Sequence, residues 1–203
     1  NNYIVWDDYQ KNWLKRINKN LNIKNFIISG PILLNNGFIE PNITINNKIL
    51  NISIFDIVPR KSLFIKEYFN REPDIDINIA NQFFFDIEKI LKKDNVAIYH
   101  KIKTNIDSRS DISTRYRNNL LRLGKYKNYH ILDSNSNIYK VINYSDLIIS
   151  LPFTSVSILS KTMNKYSIYY DPLMIFDKND RAFHGHEVIS GYEELLNLIT
   201  KLN

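Results

Sequence analysis

The sequence of 203 residues has no cysteine, only five glycines and no long apolar run. Without cysteine the chain cannot form disulfide frameworks, cysteine-ligated zinc or iron–sulfur sites, or thiol nucleophiles. No stretch approaches the roughly 18 consecutive apolar residues that a membrane-spanning helix requires, and the N-terminal segment is too polar for a signal peptide. With 44% hydrophobic and 24% charged residues, the composition predicts a soluble globular chain.

The scarcity of glycine also removes the common phosphate-binding motifs. The first predicted strand is followed by Ser29-Gly30-Pro31 rather than G-x-G-x-x-G, and no P-loop motif occurs. The H-E-x-x-H, EF-hand and G-x-S-x-G signatures are absent as well. His184 and His186 lie one residue apart. Without a third ligand at a telling spacing, they are more typical of a polar loop than of a metal site, and we predict no metal ligand.

The chain carries a moderate positive charge. Lys and Arg number 27 against 21 Asp and Glu, which gives a net charge of +6. These basic residues are scattered among Asn and Asp rather than gathered in one block. A solvated basic surface, a nucleic-acid footprint, and a face for an anionic small molecule or a bilayer are therefore all open interpretations.

Apolar residues alternate between continuous runs and a spacing of three or four. The runs predict strands at Phe26–Ser29, Ile49–Val58, Val96–Tyr99, Tyr129–Leu132, Leu147–Leu151 and Ser167–Tyr170. The helical spacing predicts helices at Asp7–Leu21, Ile77–Lys93, Arg115–Leu123, Ile138–Ile142, Ser155–Met163 and Tyr192–Leu202. Continuous apolar strands joined by helices indicate an α/β fold, a Rossmann-like parallel sheet flanked by helices on both faces.

In such a sheet, ligands bind beyond the carboxyl ends of the strands. The corresponding loops are Gly30-Pro31, Asp56–Arg60, His100–Thr104, Pro152–Ser155 and Asp171-Pro172. At the predicted start of a helix, the hydroxyls of Thr154 and Ser155 can either cap the helix or hold a phosphate. Asp56 can contact a ribose hydroxyl or satisfy turn amides, and a structural turn is favoured for Asp171.

Two segments carry a resemblance to a known family. Pro152-Phe153-Thr154-Ser155, followed by a helix, a strand and Tyr169-Tyr170-Asp171-Pro172, resembles the bacterial surface-polysaccharide biosynthesis proteins named for their PFTS motif. Phe55-Asp56-Ile57-Val58-Pro59 and His184-Gly185 are similar to further segments of that family. The resemblance implies one half of a GT-B glycosyltransferase, the C-terminal half that binds the donor.

The resemblance also implies a site. The candidate donor- and phosphate-binding residues are Gly30, Asp56, Pro59, His100, Lys101, Lys103, Phe153, Thr154, Ser155, Asp171 and His184. His100-Lys101-Ile102-Lys103 stands where the family has Lys-Pro-Lys, so the basic residue that faces the donor is left open. The implied donor is a nucleotide sugar, with a CMP-linked Kdo or other nonulosonate favoured, and the reaction needs no cofactor or metal. No catalytic residue is identified.

The predicted organisation is a linking helix in residues 1–22, anchored by Trp6 and Trp13, and a nucleotide-sugar-binding domain in residues 23–203. Since the chain begins at Asn1 and resembles one half of the fold, we expect a fragment without the acceptor-binding half. The resemblance implies a glycan or lipid-linked acceptor and a cytoplasmic location, with peripheral association at the inner membrane as an option. A non-catalytic Rossmann-like module and a single-strand nucleic-acid binder are the alternatives, although nucleic acid is not the favoured partner.

Overall fold

A computed structural model describes residues 2–17, 23–30, 39–44, 46, 48–61, 74–93 and 95–203. The strands are β1 (Asn2–Val5), β2 (Asn25–Ile28), β3 (Leu50–Phe55), β4 (Val96–Lys101), β5 (Tyr129–Leu132), β6 (Leu147–Ser150), β7 (Ser167–Asp171) and β8 (Glu187–Ser190). The α-helices are α1 (Asp8–Ile17), α2 (Asp74–Leu91), α3 (Thr114–Leu123), α4 (Ile138–Tyr144), α5 (Ser155–Thr162) and α6 (Gly191–Leu202). A short 3₁₀ turn spans Arg181–Phe183.

Six strands form one parallel sheet in the order β5-β4-β3-β6-β7-β8. This is the doubly wound Rossmann order, in which the direction of winding reverses between the first strand and the fourth. Here the reversal lies between β3 and β6, where Ile52 pairs with Leu147. At the amino end of this pair, the amide of Asn51 donates to the Asp146 carboxylate at 2.8 Å. The predicted Rossmann-like parallel sheet is confirmed, and its ligand crevice is expected beyond β3 and β6.

Helices cover both faces of the sheet. Along β4, Ile98 belongs to a buried cluster with residues of α2, α3 and α6, whereas Tyr99 belongs to a cluster with α4 and α5. This alternation follows from the two-residue period of a strand. In the α2 sequence Phe83-Phe84-Phe85, the first two rings are fully buried and the third is half exposed, as packing against a sheet requires.

The first described residues form a separate unit. β1 and β2 pair in parallel on either side of α1, and neither strand joins the six-stranded sheet. The prediction that Phe26–Ser29 is a buried strand of the main sheet is therefore wrong, because this strand pairs with an unpredicted one and its side chains are largely exposed. Of the predicted helix Asp7–Leu21, residues 18–22 lie outside the described part of the chain.

The other predicted elements are present with ends shifted by a few residues. β8 and the 3₁₀ turn were not predicted, because β8 has only two apolar residues between polar ends and the turn is three residues long, so neither forms a continuous apolar run. Among the helices that the structure describes, none is both long and apolar enough to cross a membrane.

Candidate functional site

A cavity of about 1250 Å³ opens at the carboxyl ends of β3 and β6. One wall is the loop that leads into α5, and the floor includes Asp56 after β3. The opposite wall is α1, which contributes Tyr9, Trp13 and Arg16. The cavity therefore lies at the reversal of the sheet, where Rossmann-like folds bind their ligands. We call it the switch-point cavity.

The amino end of α5 faces this cavity. Thr154 and Ser155 both line the cavity, and Thr154 is the N-cap residue of the helix. Its hydroxyl makes no capping hydrogen bond and is buried without a partner among the described residues. Its carbonyl accepts a hydrogen bond from Tyr169 Oη at 2.9 Å, which fixes the backbone here. Capping alone thus does not explain Thr154, and the helix end is open to an anion.

Phe153 projects from the same loop in a strained conformation. Its φ of 66° lies in the left-handed region, which is uncommon for a bulky residue. The ring is half exposed and stacks on Phe183, with centroids 5.0 Å apart, while Phe176 meets it edge-on. Strain of this kind costs of order 1–3 kcal/mol and concentrates at functional sites. The stack holds an aromatic face at the rim of the cavity.

Two lysines at the carboxyl end of β4 line the cavity: Lys101, the last residue of the strand, and Lys103. Lys101 Nζ donates to the carbonyl of Ser134 at 2.8 Å, and burial lowers the pKa of Lys101, partly offset by Asp133. Lys103 is exposed and also lines the cavity. An ammonium group has three donors, so Lys101 keeps two for a ligand.

His100 lies on the other side of β4. Its side chain is fully buried, Nδ1 is 2.6 Å from Tyr129 Oη, and Nε2 is 3.3 Å from Asp56 Oδ1. Because side chains alternate along a strand, a cavity-facing Lys101 places its neighbour His100 on the opposite face. His100 can therefore act on a cavity ligand only through Asp56.

Asp56 is buried at the floor of the cavity. Neither carboxylate oxygen is exposed, and the described groups nearest to them are His100 Nε2, 3.3 Å from Oδ1, and the Tyr116 hydroxyl. Burial, followed by the Asp56 charge, raises the pKa of Tyr116 and Tyr129 well above the ordinary tyrosine value. Both phenols therefore stay protonated. A buried carboxylate is costly unless neighbouring groups complete its hydrogen bonds, and His100 and Tyr116 are the described groups within reach.

Besides His100, three predicted site residues do not line the cavity. Gly30 follows β2 at a positive φ of 73°, in the separate unit, and the Pro31 that completes its loop lies outside the described residues. Pro59 is buried, and its carbonyl accepts from Ser113. Asp171 is fully buried, and its carboxylate accepts from the Phe176 amide at 2.9 Å, which is the structural turn role favoured for it.

The cavity also contains residues that sequence reasoning missed. The predicted anchors Trp6 and Trp13 do not hold α1 in a core, because none of the ten described residues of that helix is buried and Trp13 is half exposed. Both tryptophans line the cavity instead, as do Arg16 and Arg181. The sequence signal that could have indicated this role is a tryptophan, Trp13, on a helix whose opposite face is polar.

His184 lies where α1 meets the main body, and its Nδ1 is 2.6 Å from Asp7 Oδ2. Its neighbour His186 is buried, and burial, with Lys161 and His184, lowers the pKa of His186 to about 4. In the residues that the structure describes, no group of three or more His, Asp or Glu side chains is placed to hold a metal ion.

The strand order and the position of the cavity define a Rossmann-like α/β protein with a ligand crevice at the switch point. The chain belongs to the family described as polysaccharide biosynthesis PFTS motif protein, whose model matches residues 1–199. The resemblance carried by Pro152–Ser155 is thereby confirmed.

Two solved structures are similar to this chain in the path of the backbone. A proposed UDP-N-acetylglucosamine 2-epimerase of Listeria monocytogenes shares 11% identity at a TM-score of 0.49, with 77% of this chain and 37% of that chain covered. KpsC of Thermosulfurimonas dismutans, a β-Kdo 2,4-transferase, shares 14% identity at a TM-score of 0.41, with 81% of this chain and 44% of that chain covered. The chain thus spans less than half the length of either structure. No curated protein sequence matches it.

Proposed function

We propose that this chain is the nucleotide-sugar-binding part of a GT-B glycosyltransferase that builds bacterial surface polysaccharide. The observation that carries the proposal is the open amino end of α5, which faces the switch-point cavity beside Lys101 and Lys103. A helix amino end and nearby ammonium groups favour a phosphate in the same place. Membership in a polysaccharide biosynthesis family makes a sugar nucleotide the natural ligand.

The residues suit the charge that develops during transfer. As the bond between the anomeric carbon and the phosphate oxygen breaks, negative charge grows on the phosphate. The Thr154 and Ser155 hydroxyls, the first amides of α5 and the two lysines would stabilise that charge.

The finer parts of the proposal concern the donor and the surroundings. We propose a CMP-linked donor, such as Kdo or another nonulosonate, on the basis of the family resemblance. The acceptor would be a glycan or lipid-linked glycan, met in the cytoplasm or at the inner face of the inner membrane.

Calorimetric titration of the folded 203-residue chain with CMP, UDP and GDP tests the proposal. We expect CMP to bind most tightly. Binding of UDP or GDP alone would contradict the CMP assignment but keep the site. No binding at millimolar nucleotide, with folding verified by circular dichroism, would overturn the proposal in favour of a non-catalytic module.

Two substitutions locate the phosphate. Ser155→Ala and Lys103→Ala each remove one donor from the cavity wall, so nucleotide affinity should fall roughly 10-fold or more in each. The matched controls are Ser108→Ala and Lys92→Ala, at exposed positions that do not line the cavity. Unchanged affinity in both cavity variants would refute the phosphate site.

A further inference from the structure

His184, which lines the switch-point cavity, makes a close contact with Asp7, the residue just before α1. His184 Nδ1 lies 2.6 Å from Asp7 Oδ2, and the two side chains are 23% and 25% exposed. An ionised carboxylate can only accept hydrogen bonds, so Nδ1 carries the proton in the neutral imidazole. Nε2 then holds a lone pair, and it makes no hydrogen bond with any residue that the structure describes. His184 itself lines the cavity.

Asp7 is held in place by the start of α1. Its Oδ1 accepts a hydrogen bond from the Gln10 amide at 2.8 Å, while Gln10 Oε1 accepts from the Trp6 amide at 2.7 Å. This reciprocal arrangement has the logic of a capping box. Because Oδ1 caps the helix, Oδ2 is the oxygen left for His184.

His184 is held in place by its turn. Its φ of 55° is left-handed, and the preceding 3₁₀ turn is capped by Asp180, which accepts from the Ala182 amide. Lys161 Nζ lies 3.4 Å and 3.3 Å from the carbonyl oxygens of His184 and Gly185. The left-handed φ and the two Lys161 contacts hold the backbone at His184, and the contact with Asp7 orients the imidazole.

The position of His184 relates it to the phosphate site. Phe183 stacks on Phe153, and Phe153 immediately precedes Thr154 at the start of α5. The imidazole therefore lies along the same wall as the proposed phosphate site. The charged and titratable side chains around it are Asp7, Tyr9, Lys161, Asp180, Arg181 and His186.

We propose that His184 is the general base of the transfer reaction and that Asp7 is its positioning residue, an inference that rests on the proposed function. His184 Nε2 takes the proton of the acceptor hydroxyl as that oxygen bonds to the anomeric carbon. The bond from that carbon to the phosphate oxygen breaks, and its electron pair leaves with the nucleotide. The imidazolium that forms is stabilised by the Asp7 carboxylate.

The first experiment reads the tautomer and needs no activity. Long-range ¹H–¹⁵N correlation spectra should show His184 protonated at Nδ1 in the wild type, with His184→Asn identifying its signals among the four histidines. Asparagine is chosen because it tolerates a left-handed φ. Asp7→Asn keeps a capping oxygen but presents an amide N–H₂ to Nδ1, so the proton should move to Nε2. Protonation at Nε2 in the wild type, or no change in Asp7→Asn, would overturn the inference.

The second experiment measures nucleotide release from CMP-Kdo, UDP-N-acetylglucosamine and GDP-mannose, with water or a saccharide as acceptor. In Asp7→Asn and His184→Asn, kcat should fall about 100- to 10,000-fold, with nucleotide affinity by calorimetry unchanged. The control is Asp8→Asn, the adjacent exposed acid, which pairs with Lys11 and does not line the cavity.

The outcomes separate the two proposals. If wild-type protein binds and releases nucleotide but the Asp7 and His184 variants match it, the general-base assignment is wrong and the proposed function stands. If wild-type protein neither binds nor turns over any of the three donors, the proposed function is wrong and the general base falls with it. A fall in affinity without a fall in kcat would make the pair a binding contact and would also overturn the assignment.

Discussion

Two histidine–carboxylate pairs lie among the residues that the structure describes, and they differ in almost every physical respect. His100 and Asp56 come from adjacent strands, have fully buried side chains and lie 3.3 Å apart without a proper hydrogen bond. His184 and Asp7 are 177 residues apart in the sequence, are about a quarter exposed and lie 2.6 Å apart.

The buried pair supports the fold, whereas the accessible pair is placed where it can act on a substrate. The His100 ring is enclosed by Phe84 and Tyr129, so no substrate can reach it, and its removal would leave buried polar groups unsatisfied. The His184 ring has a free nitrogen in an accessible cavity, so its removal should leave the fold intact. Residue type alone cannot tell the two pairs apart, but burial can.

The largest expected effect is on the buried pair. His100→Ala should lower the free energy of unfolding by about 3–5 kcal/mol. It leaves a cavity against Phe84, and the buried Tyr129 hydroxyl and Asp56 carboxylate lose the imidazole as a neighbour. Urea denaturation measures this, with His130→Ala, at an exposed position of the neighbouring strand, as the control. A loss below about 1 kcal/mol would show that the buried pair is not structural.

His186 is a third histidine, buried like His100, and it allows the effect of burial to be tested by pH. Its pKa of about 4 in the folded chain is below the ordinary value of 6.5, so the unfolded state binds more protons between these pH values. Stability should therefore be unaffected above about pH 6.5 and fall as the pH drops to 4, beyond the loss due to carboxylates and by less than about 3 kcal/mol because solvent screens part of the shift. His186→Phe, which keeps a ring against Tyr169, should remove that part of the pH dependence. Identical pH profiles for the two proteins would contradict the prediction.

The next largest effect on stability is expected at the contact between Tyr9 of α1 and Gly185 of the main body. A Cβ on Gly185 would lie 2.2 Å from Tyr9 Oη, and its φ of 68° disfavours other residues. Gly185→Ala should cost about 2 kcal/mol and separate Asp7 from His184. Adding Tyr9→Phe removes the closest atom and should restore part of the loss. Chemical denaturation of both single variants and the double variant measures the coupling, and strict additivity would mean that the contact is not made in solution.

The smallest effect on stability belongs to the accessible pair. Asp7→Asn should change the free energy of unfolding by less than about 1 kcal/mol, because asparagine is an equally good N-cap and partly exposed ion pairs contribute little. Thermal unfolding of Asp7→Asn beside wild type measures it. A loss comparable to that of His100→Ala would erase the distinction between the two pairs.

Sequence periodicity predicted the main sheet well because its strands are continuous apolar runs that are buried on both faces, as at Leu147–Ser150. It missed β1 and wrongly placed the Phe26–Ser29 strand in the main sheet, because an apolar run that is exposed in the fold has the same pattern as a buried one. For the site, the Thr154-Ser155 pair was found because a motif marks it. His100 was predicted to contact the donor, but its side chain lies on the opposite face of the strand from Lys101. The alternation of side chains along a strand could have shown that His100 and Lys101 do not face the same side. The pairing of Asp7 with His184 was beyond reach, since 177 residues separate them.

The junction of β3 with β6 has a consequence for how the chain folds. It joins Asn51 to Asp146 across 95 residues, so the crevice cannot exist until a long loop closes, a step that makes parallel sheets slow to fold. A ligand of that crevice binds only to chains that have completed this closure. It should therefore protect the amides of β3 and β6 from hydrogen exchange together, and slow their exchange through the global unfolding equilibrium.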